Sequence, residues 1–398
     1  MSYLSLKKYG YNHHGEALNE YQRRFNSSDA KHIGINIGSS PAFFVETKEI
    51  NKSVLALYKM DKKVMELCRE LSPEAVAQYL LKCLTDEIQI TNSIEGVHST
   101  QKEILDAYEN RGTRFKGIVD KYLLMLSDEQ ILLESNQDIR ALYDELVLPE
   151  VLEESEKDRP DGEIFRKERV FVRGAKLEPS HEGLYPEEKI IDAMQRALDY
   201  LNDEDEELIY RVSVFHYLLG YIHPFYNGNG RLNRFISSYM LTSELELIIG
   251  YRLACTIKEE QSAYNKAFDE CNDEANRGEL TMFVEMFVNI LTESMENLIV
   301  ALKEKKADWE RYQSNISVLP FGTEKYYPAV YEQLILHELF APEGVDMVNL
   351  KKATNISIPT LRKLLKNIED AGLLKVDSSG RRFVYGIRLD KIDELLQR

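Results

Sequence analysis

Cysteine is sparse, positive charge is in deficit and long apolar runs are missing from this chain of 398 residues. The four cysteines, Cys68, Cys83, Cys255 and Cys271, lie far apart without CxxC spacing, which argues against a disulfide framework and against a zinc site. Reduced, packed thiols are expected. No run approaches the length that crosses a bilayer, and the start, "MSYLSLKKYGYNHHGE", lacks the apolar core that a signal peptide places ahead of its cleavage site. The expected location is the cytoplasm, with no membrane partner. Lys plus Arg number 50 against 67 Asp plus Glu, a net charge of −17. That balance disfavours nonspecific attraction to nucleic acid across the whole surface while leaving room for a local basic patch. There is no internal repeat and no low-complexity tract. With 43% hydrophobic and 29% charged residues, the composition is that of an ordinary globular protein, long enough for two or three domains.

What is present is mostly helical periodicity. Residues 1–40 are polar and read as a loosely packed arm. Over 41–150 apolar residues recur at helical spacing, with Ser72 and Pro73 placed as cap and first-turn residue of one helix and "DEQILLESNQDIRALYDELV" read as another. The rhythm breaks in "EKDRPDGEIFRKERVFVRGAKLEPSHEGLYP", where prolines and glycines flank "FRKERVFV", a β-branched and aromatic run suited to a strand pair. A β-hairpin flap is expected there, opening a helical core over 151–312. From 313 to 398 three helical patterns precede two short strands around Ser378, Ser379 and Gly380, the order of a winged helix-turn-helix. The expected fold class is therefore mainly α, a helical bundle with a small hairpin flap and a C-terminal winged helix.

The densest polar chemistry sits between two apolar helix patterns, in "HPFYNGNGRLNR", residues 223–234. Gly228 and Gly230 permit positive φ, so that successive backbone N–H groups can form a concave anion nest at the start of the next helix. Arg231 and Arg234, three apart, put two guanidinium groups on one face beside that helix N-terminus. Two arginines and a nest suit more than one phosphate. His223, at the end of the preceding helix, is close enough to serve as base on a hydroxyl attacking such a phosphate. The spacing by itself fits equally a glycine-rich interhelical turn with capping asparagines.

The dodecapeptide resembles the signature loop of the Fic family, whose members transfer a nucleotide moiety, usually AMP from ATP, to a protein hydroxyl. The resemblance covers residues 40 to 310 and implies several roles. His223 is the general base, Phe225 anchors the loop, Asn229 and Arg231 hold phosphates, Arg234 holds the γ-phosphate, and Gly228 and Gly230 form the nest. One position departs from the family pattern: Asn227 stands where most active members carry the Asp or Glu that coordinates Mg²⁺. A neutral amide holds magnesium more weakly, which implies slower transfer or another nucleotide chemistry. "TNSIEG", residues 91–96, resembles the family's inhibitory motif, with Thr91 at its start and Glu95 pairing with Arg234 to keep the γ-phosphate from seating. A carboxylate on an arginine's bidentate face denies that face to another anion. The flap resembles the family's target-docking hairpin, with Arg166, Val170, Phe171 and Val172 as contacts by strand addition. Tyr264 in "QSAYNKAF" is the candidate for a nucleobase wall, although an aromatic at helical spacing more often reads as core.

The resemblance thus implies a protein adenylyltransferase with ATP as substrate, Mg²⁺ as a weakly held cofactor and an unidentified target protein. Donors other than ATP, and removal of AMP by the same site, fit the same residues. In the C-terminal segment "SIPTLRKLLKN" reads as a recognition helix with Asn355 and Ser357 as cap candidates, and Arg362, Lys363, Lys366, Lys375, Arg381 and Arg382 as phosphate contacts. DNA is one open partner and a homodimer another. The rival reading is a DNA-binding regulator whose core senses nucleotide with little turnover.

Overall fold

The computed structural model describes residues 3–127, 129–173, 179–378 and 382–397. The chain forms two compact units, one of residues up to Asp61 together with Asp86–Glu296, the other of Lys62–Thr85 together with Asn297 onward. Both are mainly helical, with only small antiparallel sheets. The helices Lys48–Arg69, Pro73–Ile94 and Thr281–Ser314 contribute residues to both units.

At the centre of the first unit lies the helix Leu208–Ile222, "LIYRVSVFHYLLGYI", buried at every position except Gly220. A helix apolar all round has no solvent face to offer and becomes the core itself. Glu187–Leu201 packs along it, and Asn229–Leu241 follows it after a six-residue loop. The first forty residues are not a loose arm. Helices Leu6–Asn12 and Ala17–Phe25 and the hairpin Ala30–Ile37 with Ser40–Val45 belong to this unit. Buried Arg24 binds buried Glu20 at 2.8 Å and buried Glu279 at 2.9 Å, an ion-pair cluster that polarity alone disguised as surface. The helix expected throughout "DEQILLESNQDIRALYDELV" begins only at Asn136. There Ser135 and Asp138 form a reciprocal capping box, which fixes the start one turn before the apolar stripe.

The flap is a short antiparallel pair, Phe171–Arg173 with Pro179–Glu182, in which Phe171 faces Glu182 and Val172 faces His181. The expected strand over 165–172 is confined to its last residues because Phe165 and Arg166 are drawn into the core. The flap's base is tied down by the Glu187 carboxylate, which accepts from the N–H groups of Glu163, Ile164 and Phe165 at 2.8–3.0 Å.

The second unit runs through helix Tyr327–Phe340, strand Val345–Asp346, helices Met347–Thr354 and Ile358–Asp370, and strands Leu374–Asp377 and Val384–Ile387. The last strand lies between the other two, and Val345–Asp346 is a strand that the sequence pattern does not announce. Ser357 caps Ile358–Asp370 by accepting from Thr360 N–H. Asn355 instead ends the preceding helix in the left-handed region, φ 54°, where an asparagine costs little.

Candidate active site

His223 ends the helix Leu208–Ile222 in the left-handed region, φ 53°, which turns the chain sharply into the loop. Gly228, φ 81°, caps the start of Asn229–Leu241. A Cβ there would also lie 3.2 Å from Val147 Cγ2 and 3.3 Å from the Tyr143 ring, so conformation and space both demand glycine. The loop is braced from several sides. Phe225 is buried and stacks on Tyr143 with ring centroids 3.6 Å apart. The Tyr143 hydroxyl donates to the Asn227 carbonyl at 3.0 Å. Asn229 Oδ1 accepts from Phe225 N–H at 3.0 Å and its Nδ2 donates to Phe225 O at 2.8 Å. The Asn229 side chain is therefore committed to the loop, and its backbone N–H is what remains for an anion. With Gly230 and Arg231 it belongs to the first turn of a helix, whose N–H groups have no intrahelical acceptor.

Arg166, expected to touch a target, has no exposed surface. Its guanidinium donates to the carbonyls of His223 at 2.8 Å, Glu168 at 2.6 Å and Leu184 at 2.9 Å, so it clamps the flap's base to the end of the buried helix. A long cation surrounded by carbonyl acceptors is held inside, where no target reaches it. Val170 O accepts from Gly183 N–H at 3.0 Å, Phe171 is 57% exposed, and Val172 lines the central cavity. The three flap residues thus divide between brace, surface and cavity wall.

That cavity, about 340 Å³, brings together Glu95, Val172, His223, Asn229, Gly230, Arg234 and Tyr264 from the residues singled out in the sequence. Thr91, Asn227, Gly228 and Arg231 stand outside its lining. Burial, and next the Arg166 charge, push the His223 imidazole down to about 4, so at neutral pH the ring is uncharged and carries a free lone pair. Arg234 donates through Nε to Thr91 Oγ1 at 2.6 Å, and through Nη2 to Thr91 O at 3.1 Å and Glu95 Oε1 at 2.7 Å. Burial alone would raise the Glu95 carboxyl, but the Arg234 charge and hydrogen bond hold it below the usual range. A Cβ on Gly230 would collide with Glu95 Oε1, so the carboxylate rests directly over the helix's first turn. Arg231 is 1% exposed, and its Nε and Nη2 have no partner among the described residues. A buried guanidinium left in that state is prepared for an anion.

The residues present do not fit a protein-held magnesium ion. Asn227 supplies no charge, and its Oδ1 already accepts from Gly228 N–H at 2.7 Å. Among the described residues no group of three or more His, Cys, Asp or Glu side chains could hold a metal.

Sequence reasoning missed His216, Asn233, His181 and Gly183. The Tyr264 hydroxyl meets His216 Nε2 at 2.7 Å, and His216 Nδ1 meets Ser237 Oγ at 2.8 Å. His216 is fully buried and its pKa is pushed down to about 3 by burial and then by Arg234, so a neutral ring fixes Tyr264 in place. Embedded in an apolar run, His216 gave no signal of its own. Gly183 packs so closely that a Cβ would lie 3.0 Å from His223 Cβ and 2.6 Å from Arg166 Nη2.

In the second unit three of the six cations of the expected basic patch have carboxylate partners. Lys366 pairs with Glu369 and Asp370, Lys375 with Glu338, and Arg382 with Glu343 and Asp346. Arg381 lies outside the described residues.

Residues 134–241, which carry the buried helix, the loop and its arginines, match the family model Fic/DOC family. Over these residues the chain is similar to the Fic/DOC family. Two curated relatives are each named protein adenylyltransferase Fic. The one from Drosophila willistoni is 29% identical over 142 residues, 35% of this chain and 25% of the relative. The one from Drosophila virilis is 28% identical over 160 residues, 38% of this chain and 30% of the relative. The chain thus matches less than a third of either relative's length. A crystal structure of a Fic family protein from Desulfovibrio desulfuricans G20 superposes with a TM-score of 0.51 at 17% identity, covering 87% of this chain and 97% of that one. At that identity the likeness concerns the fold. Among the described residues no helix is long and apolar enough to cross a membrane.

Proposed function

We propose that this chain is a protein adenylyltransferase that transfers AMP from ATP to a hydroxyl side chain of a target protein, and that Glu95 holds it in check. The observation that carries the reading is the pairing of a neutral His223 with Arg234 in one cavity, where Arg234 is already engaged by Glu95. A bound triphosphate lies along the first turn of Asn229–Leu241, with Arg231 and Arg234 balancing its charge. His223 takes the proton of the target hydroxyl as its oxygen bonds to the α-phosphorus, and the bond from that phosphorus to the β-phosphate bridging oxygen breaks, releasing pyrophosphate. While Glu95 occupies Arg234, the terminal phosphate lacks its partner and the α-phosphorus is misplaced. The loop offers magnesium no carboxylate, so no step of this scheme passes through a protein-bound ion. Residues 327–387 we read as a winged helix that serves as an interaction module, because Lys366, Lys375 and Arg382, three of its six expected phosphate-binding cations, already have carboxylate partners.

Incubation with ATP labelled at the α-phosphate tests the activity, the product being followed by mass spectrometry. Label on protein in the Glu95→Gly chain, absent with His223→Ala added, is the expected result. Label retained without His223, or none in either chain, overturns the proposal.

A further inference from the structure

Between the two arginines that face the phosphates stands Asn233, to which the proposed chemistry gives no task. It is 3% exposed, lies on the helix Asn229–Leu241 and lines the same cavity as His223, Arg234 and Tyr264. Its Nδ2 donates to the His216 carbonyl at 2.7 Å. A carbonyl can only accept, so the amide cannot be turned the other way round. Its orientation is settled by the core helix, and Oδ1 is left with no donor among the described residues.

A shielded amide oxygen without a donor is uncommon in a folded core, and its desolvation cost persists until a donor arrives. The neighbouring wall holds Tyr264, whose hydroxyl meets His216, and Arg234, whose Nε and Nη2 serve Thr91 and Glu95. We propose that Asn233 Oδ1 is a specificity-determining acceptor that takes a hydrogen bond from the nucleoside part of the bound nucleotide. This rests on reading the cavity as a nucleotide site, and it names what that site selects. The ionised phosphates of ATP carry no donor and are repelled by an amide oxygen. The only donors in the molecule are the two ribose hydroxyls and the exocyclic 6-amino group. A ligand that fills this cavity without one of them leaves Oδ1 buried and unpaired, which penalises it more than a missing contact at an open surface would.

The test is calorimetric binding to the full chain carrying Glu95→Gly, with ATP, 2′-deoxy-ATP, 3′-deoxy-ATP and purine riboside triphosphate, which lacks the amine. One analogue is expected to bind about tenfold or more weakly than ATP, and its identity names the donor. In the Glu95→Gly, Asn233→Ala chain that difference should vanish, because removing both partners of a bond cancels its coupling. The first comparison needs no change at Asn233, so it stands even where the alanine variant folds poorly. Equal binding of all four compounds, or a difference that survives intact in the alanine variant, overturns the assignment while leaving the nucleotide reading in place. Failure of the Glu95→Gly chain to bind ATP at all removes both.

Discussion

Replacing Glu95 with glycine removes the carboxylate that Arg234 binds and leaves its two bonds to Thr91, at 2.6 and 3.1 Å, in place. The pair is sheltered, with side-chain exposures of 3% for Arg234 and 24% for Glu95, so solvent screens it little. A hydrogen bond to a charged group in such a place contributes about 2 kcal/mol net. If that is the free energy by which Glu95 outcompetes the terminal phosphate, its removal raises the rate of transfer about 30-fold. Stability should fall by about the same 2 kcal/mol, short of what stranding a buried charge costs, because Thr91 and the opened cavity still serve the guanidinium. Initial rates of label incorporation at saturating ATP, read beside the melting temperature, separate the two effects. A folded Glu95→Gly chain whose rate rises less than about threefold would refute the claim that this ion pair is the brake.

Four further outcomes are expected. Gly230→Ala, which places a methyl against Glu95 Oε1, should raise transfer in the Glu95 chain more than in the Glu95→Gly chain; equal effects in both would show that Gly230 does not support the brake. Because burial lowers His223 to about 4, the neutral base persists as pH falls below the usual 6.5, so the acid limb of kcat/KM should lie near pH 4 and the profile should be flat from 6 to 8. An acid limb near 6.5 would contradict this. Asn227→Asp should lower the Mg²⁺ concentration for half-maximal transfer, since a charged ligand replaces an amide whose oxygen is already engaged; an unmoved titration would place residue 227 away from the metal. For the full chain and duplex DNA, with Lys366, Lys375 and Arg382 already paired, any binding should show a log K against log salt slope no steeper than about −3. A slope near −5 would mean that those ion pairs open onto phosphate.

The loop 223–234 is legible in the sequence because its demands are local. Positive φ at Gly228, two arginines one turn apart and a histidine at a helix end are properties of neighbours in sequence, and so are the apolar stripes that announce most helices. Glu95 was legible through its motif, although only the fold brings it across 139 positions to Arg234. Long-range burial decided the rest. Arg166 looks like any surface arginine until the carbonyls of Leu184 and His223, from two other segments, close around it beside that of Glu168. Arg24, in a segment polar enough to read as a loose arm, is buried because Glu279 waits for it from a distant part of the chain. His216 and Asn233 acquire their roles only when two helices lie side by side, one lending its backbone carbonyl to fix the other's amide. Periodicity records which face of an element is apolar, whereas the partner of a buried polar group is set by whatever the fold places opposite, and that is a property of packing alone.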